Sequence, residues 1–191
     1  KVLGIPSALA AGAGTAVVVT NSTVLTGIEL RHGRQRWRSR TSYPVDLPPV
    51  VLADDVWVSS GRASIQRMSL DTGATTGTWQ SSTAIAGACT DGRRLYVTVA
   101  GPAQLVAIEP SGTVRWAVGV EEVSPEPDVS GDWALLAEPN GMLCRFGLTD
   151  GTIEARAALP VEPVGAPIAA GDRVILQERN GRVWCLEAPT S

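Results

Sequence analysis

Apolar positions in this chain fall in runs of four to seven residues that alternate with polar ones and are bounded by Gly, Pro, Asp and Ser. A period of two is the signature of strands, and no stretch repeats its apolar positions at helical spacing. The runs AVVVT (16–20), VWVSS (56–60), LYVTV (95–99), WALLA (133–137) and VILQ (174–177) carry the most β-branched and aromatic bulk. They predict strands packed between stacked sheets. Ahead of several of them lie strands of small residues, at 7–11, 84–88 and 165–169. Such strands suit the crowded inner position of a ring of sheets, where side chains must fit a taper.

The runs recur. Strand-opening positions Val17, Val56, Leu95, Ala134 and Val174 are spaced 39, 39, 39 and 40 residues apart. Leu30, Leu70, Ile108, Leu148 and Leu186 repeat at 40, 38, 40 and 38, and Gly33, Gly73, Gly112 and Gly151 at 40, 39 and 39. A fixed period in the range of about 20–50 residues points to a repeat architecture. Four strands per unit predict an all-β fold, a β-propeller of five four-stranded blades in a single domain, 1–191, with blade units near 6–40, 46–81, 84–119, 125–158 and 163–187. The fifth unit ends before a fourth strand. Residues 1–5 are in phase with one, so the expectation is a ring closed by that segment, with five repeats of a larger ring as the alternative.

Within the units, Ser69-Leu70-Asp71-Thr72-Gly73 followed by Trp79, and Ala107-Ile108-Glu109-Pro110-Ser111-Gly112 followed by Trp116, carry a strand, a turn ending in Gly and a closing Trp. In these motifs the chain resembles the PQQ-like (quinoprotein-like, BamB-like) β-propeller repeat family. The fourth unit departs from it, with Ala155 and Arg156 where the tryptophan would fall. The resemblance implies a rigid bacterial propeller used as a scaffold or sensor. Quinone-dependent dehydrogenases of that family are longer rings with a vicinal cysteine disulfide, and no two cysteines are adjacent here.

Composition narrows the chemistry. At 191 residues the chain is long enough to bury about 70% of its unfolded surface. Its formal charge of −3 produces no global field for nucleic acid or anionic membrane. The longest apolar stretch, 2–19, is broken by Pro6, Ser7 and three glycines, short of the roughly 18 uninterrupted residues a span requires. Residue 1 is Lys, which leaves room for a removed signal peptide or an upstream membrane anchor, and an extracytoplasmic location is favoured slightly over the cytoplasm. Cys89, Cys144 and Cys185 are an odd number without a C-x-x-C spacing and read as buried free thiols; a Cys144–Cys185 bridge is the alternative. One histidine, His32, and no phosphate-loop motif leave no catalytic constellation, metal cluster or cofactor site to nominate.

Two charged segments stand out. On a strand, Arg34, Arg36, Arg38 and Arg40 share one face, with Gln35, Trp37 and Ser39 on the other. Four guanidinium groups in a row can grip carboxylates or phosphates bidentately, although charges on an outer strand also serve simply to discourage strand addition. Glu121, Glu122, Glu126 and Asp128 cluster in a connection with Pro125 and Pro127, and rim connections are where ligands are met. Asp54, Asp55, Asp91, Asp132 and Asp172 recur at turns, where Asp caps local amides. The tryptophans read as packing residues. The expected function is non-catalytic binding of a protein, peptide or small ligand through the Arg strand and the acidic connection, nucleic acid being disfavoured. The alternative is a piece of a larger PQQ-like enzyme or cofactor-binding propeller whose active site lies elsewhere.

Overall fold

The structure, a computed structural model, describes residues 4–121 and 126–190. Every regular element among them is a β-strand. The chain divides into two compact units, Lys1–Ala84 and Ile85–Ser191.

The first unit holds two antiparallel sheets: β1 (Pro6–Gly12), β2 (Thr15–Thr20), β3 (Val24–Glu29) and β4 (Gln35–Arg40), then β5 (Val50–Leu52), β6 (Asp55–Ser59), β7 (Ser64–Ser69) and β8 (Thr75–Gln80). Each strand pairs with the next in sequence, so the connections are hairpins. The β1–β2 turn has both central residues at positive φ, Ala13 at 47° and Gly14 at 74°, the primed geometry that matches strand twist. Val17, Val19, Leu25 and Trp37 of the first sheet pack on Val56, Val58, Met68 and Leu70 of the second.

The second unit holds three sheets. β9 (Ile85–Thr90), β10 (Leu95–Val99), β11 (Gln104–Ile108) and β12 (Val114–Gly119) form one, and β13 (Asp128–Ser130), β14 (Trp133–Ala137), β15 (Met142–Gly147) and β16 (Ile153–Ala158) another. The third, β17 (Ile168–Ala170), β18 (Arg173–Gln177) and β19 (Val183–Glu187), has three strands among the described residues. The closing strand expected from 1–5 falls largely on 1–3, outside the described residues; Gly4 and Ile5 lie in no strand, and Ile5 exchanges two hydrogen bonds with Asn21. Sheet β13–β16 is buried on both faces. Ala134, Leu136 and Phe146 meet Tyr96 and Leu105 on one side, and Leu135, Ala137 and Leu143 meet Val174 and Leu176 on the other. Its second strand therefore reads as the unbroken run WALLA rather than as alternation.

The repeat has a hydrogen-bond basis. The amides of Leu30, Leu70 and Leu148 donate to the carbonyls of Gly14, Asp54 and Asp132, tying the third–fourth turn of each sheet to its first–second turn, at 2.9 Å each. Ala188 does the same to Asp172 at 2.8 Å, so Ala188, and not Leu186, is the equivalent of those leucines. In the third sheet the matching residue is Pro110, which has no N–H to donate. Ile108 and Leu186 align instead with Ile28, Met68 and Phe146, each opposite its second-strand partner. The period was legible, but two of its teeth, Ile108 and Leu186, sat two residues early, on the third-strand residue that faces the second strand rather than in the turn that follows it. Val17 is also out of phase: Ala16 is the residue that opposes Ile28.

Candidate functional site

The arginine segment is organised by two residues that point the other way. Trp37 is buried and its Nε1–H donates to the Leu70 carbonyl at 2.7 Å; Ser39 Oγ donates to the Gly73 carbonyl at 2.8 Å. These bonds seat β4, the outer strand of its sheet, on the turn of the neighbouring sheet. Arg36, Arg38 and Arg40 then emerge exposed on the opposite face, while Arg34 precedes the strand. A bulge opposite Gly27 and Ile28 leaves Gln35 exposed as well. Arg36 is engaged: its Nη1 lies 3.2 Å from Asp71 and its Nη2 3.9 Å from Glu29. Arg38 and Arg40 make no ion pair among the described residues. Two guanidinium groups carried by alternate residues, whose Cα atoms sit about 7 Å apart along a strand, form a grip for spaced carboxylates.

The acidic connection lies in the second unit and is used quite differently. Glu122 is outside the described residues. Glu121 accepts from Asn140 Nδ2 at 3.0 Å and from Arg156 Nη1 at 3.1 Å, and its own amide donates to Glu138 Oε1 at 2.9 Å. Asp128 accepts from the Ala169 amide at 2.7 Å, joining β13 to β17. Glu126 is half-buried, and burial raises its pKa above the usual carboxylate value. Of the three described acids, two are committed to internal bonds. The centre of the Glu121 network is Glu138, 1% exposed, which sequence reasoning missed; its only signal is an acid ahead of a Pro-Asn-Gly turn at a strand end. Burial, with Glu138 alongside, pushes the Cys144 thiol up to about 11.

Of the turn aspartates, Asp91 caps backbone, its Oδ1 accepting from the amides of Arg93 and Arg94, both at 2.7 Å, and its Oδ2 from Tyr96 Oη at 3.0 Å, whereas the Asp55 carboxylate faces Arg67 at 3.3 Å and that of Asp172 faces Arg173 at 3.9 Å. Burial of that tyrosine pushes its pKa up to about 12. Among the described residues no three His, Cys, Asp or Glu side chains converge as a metal site. All three cysteines are free, and Cys185 is exposed, which corrects the expectation of three buried thiols; it lies on the uncovered face of the short β17–β19 sheet beside Ile175. His32 sits exposed in a turn, 3.1 Å from Glu29.

The tryptophans also divide. Trp37 and Trp116 occupy matching registers, opposite Gly27 and Ala107, and Trp116 Nε1 donates to the Leu148 carbonyl as Trp37 does to Leu70. Trp79 does not belong to this set. The register-equivalent residue is Gly77, opposite Arg67, and in the fourth sheet Ala155, opposite Arg145. Those arginines take up the volume, lying over Trp57 at 5.9 Å and Trp133 at 5.2 Å and pairing with Asp55 and Glu154.

Comparison with known proteins follows the same lines as this geometry. The model of a family described as outer membrane protein assembly factor BamB matches residues 2–102 and again 102–190. Among solved structures, BamB from Moraxella catarrhalis is 20% identical, with a TM-score of 0.74 over 93% of this chain and 59% of that one. The computationally designed Ika8 protein is 10% identical, with a TM-score of 0.81 over 96% of this chain and 58% of its own. Kluyvelomyces marxianus Hsv2 is 11% identical, with a TM-score of 0.77 over 91% and 56%. This chain thus spans less than three fifths of the length of each. No curated protein matches it. The fold class is the all-β β-propeller, with about five blades in these residues.

Proposed function

Because the chain belongs to the family of the outer membrane protein assembly factor BamB, we propose that it is a non-catalytic binding module of a bacterial protein, working outside the cytoplasm and holding a protein partner against its sheets. The observation that carries this reading is β4: one face is locked to the next sheet through Trp37 and Ser39, and the other presents Arg38 and Arg40 with no carboxylate of their own among the described residues. A strand anchored in this way meets a partner with little further ordering, which is where much of the cost of association otherwise lies. The contact is assigned to Arg36, Arg38 and Arg40, with Arg34 at its margin. The acids Glu121 and Asp128 brace the second unit, and among the described members of that group Glu126 is left to meet a partner. No helix among the described residues is long and apolar enough to cross a membrane.

Poly-L-glutamate serves as the anionic probe. Wild-type chain should bind it with an affinity that falls as salt rises. Replacing Arg38 and Arg40 together by Ser should weaken binding about fivefold, since exposed pairs contribute about 0.2–1 kcal/mol each. The same variant should lose a protein captured by the wild type from bacterial envelope extract. Equal affinity and equal capture would move the contact away from β4.

A further inference from the structure

We propose that the cleft between the β4–β5 connection and the β6–β7 turn binds an extended peptide carrying a single carboxylate close to an aromatic or proline side chain. The inference rests on the binding role above and gives it a second place and a ligand chemistry. The cleft, about 620 Å³, lies wholly within the first unit, and its size is within the range of about 300–1,000 Å³ typical of ligand sites.

Its upper wall is pre-organised. Thr41, itself buried, donates through Oγ1 to the Tyr43 carbonyl at 2.7 Å, the Val45 amide donates to Ser22 at 2.6 Å, and the amides of Asp46 and Leu47 both donate to the buried Ser59 Oγ at 2.9 and 3.1 Å. With Val45 buried and prolines at 44, 48 and 49, the connection has little freedom left to lose. These bonds hold Tyr43 outward, 58% exposed, beside Gly61 on the opposite turn. The bonds fix the backbone that carries Tyr43, and an exposed tyrosine on a fixed backbone offers large contact area at low entropic cost.

The polar groups select the ligand. Gln66 and Gln80 line the cleft, and each amide offers donors and an acceptor to an extended backbone. Arg62, exposed in the lining, meets no carboxylate among the described residues and is open to pair with an anionic group of a ligand. Asp46 on the connection repels a second negative charge, which disfavours polyphosphates and acidic runs, and a neutral sugar would gain nothing from the charge of Arg62.

The test is panning of a random heptapeptide display library on the immobilised chain, followed by fluorescence anisotropy with the most enriched peptide. Enriched sequences should place one Asp or Glu within two residues of Phe, Tyr, Trp or Pro. Tyr43→Ala should weaken that peptide about tenfold, Arg62→Ser and replacement of its acid by the amide each about threefold, as for an exposed ion pair, and the Arg62→Ser loss should not add to the loss of the acid. No enrichment, a consensus lacking the acid, affinity unchanged in both variants, or stronger binding of maltopentaose would each overturn the cleft assignment. The Arg38→Ser, Arg40→Ser chain should bind the peptide like wild type, so failure of the β4 contact and failure of the cleft are read separately.

Discussion

Single residues set the tolerances of this fold. Gly73 has φ +69°, and a Cβ there would come 2.5 Å from the Trp37 ring; Gly33, at φ +66° in the corresponding turn, has nothing within 4 Å. Gly33→Ala is therefore expected to lose about 1–2 kcal/mol from left-handed backbone alone. Gly73→Ala adds about 1–3 kcal/mol of overpacking, a difference that urea midpoints of the two variants resolve. Tyr96 supplies a pH signature. Its pKa is raised from 10.0 to about 12, chiefly by burial: the native state holds the neutral phenol more firmly than the unfolded chain does. That stabilisation is complete below pH 10 and is lost as pH rises towards 12. Tyr96→Phe should cost about 1 kcal/mol at pH 8, through the lost bond to Asp91, yet show a shallower fall from pH 10 to 12. An unchanged alkaline slope would count against it. The regular spacing of glycines was readable because positive φ is a local requirement. Which of them has an aromatic ring pressed against it was not, since Trp37 and Gly73 lie in different sheets.

At the level of elements, the fourth strands come in two kinds. β4 and β12 carry a tryptophan that donates to a carbonyl in the next sheet, whereas β8 and β16 carry Gly77 or Ala155 at that register, with an arginine from the third strand over them. The closing Trp motif thus merged two different positions, because Trp79 lies two residues further along on the same face and a period of two cannot tell them apart. Trp37→Ala should lose about 3–5 kcal/mol, the range for emptying a buried tryptophan site, and Trp79→Ala, half-buried, clearly less. Equal losses in denaturant unfolding would restore Trp79 to the set. The arginine strand was legible as alternation. Its division into an engaged Arg36 and an Arg38 and Arg40 without ion pairs among the described residues depends on Asp71, which is contributed by the second sheet.

For the whole molecule, the three free thiols report on folding. In the native protein Cys185 should react promptly with a thiol reagent, while Cys144, 1% exposed, should react only on unfolding, both because it is covered and because a pKa of about 11 leaves little thiolate. Immediate labelling of Cys144 would contradict its place in the core shared by the third and fourth sheets. In the second unit Glu138, at the end of β14, is buried, while its hydrogen-bond partners Glu121 and Asn140 stay exposed. Strand identity, the roughly 39-residue period, the turns and the β-propeller class were determined by the sequence itself, because alternation, β-branching and glycine at positive φ act over a few neighbouring residues. The tooth of the period that faces each neighbour, the tryptophan that docks, the buried Glu138 and the arginines left without carboxylates were decided only by tertiary structure. Each depends on which groups from strands more than fifteen residues apart are brought together, and packing and pairing at that separation leave no local trace.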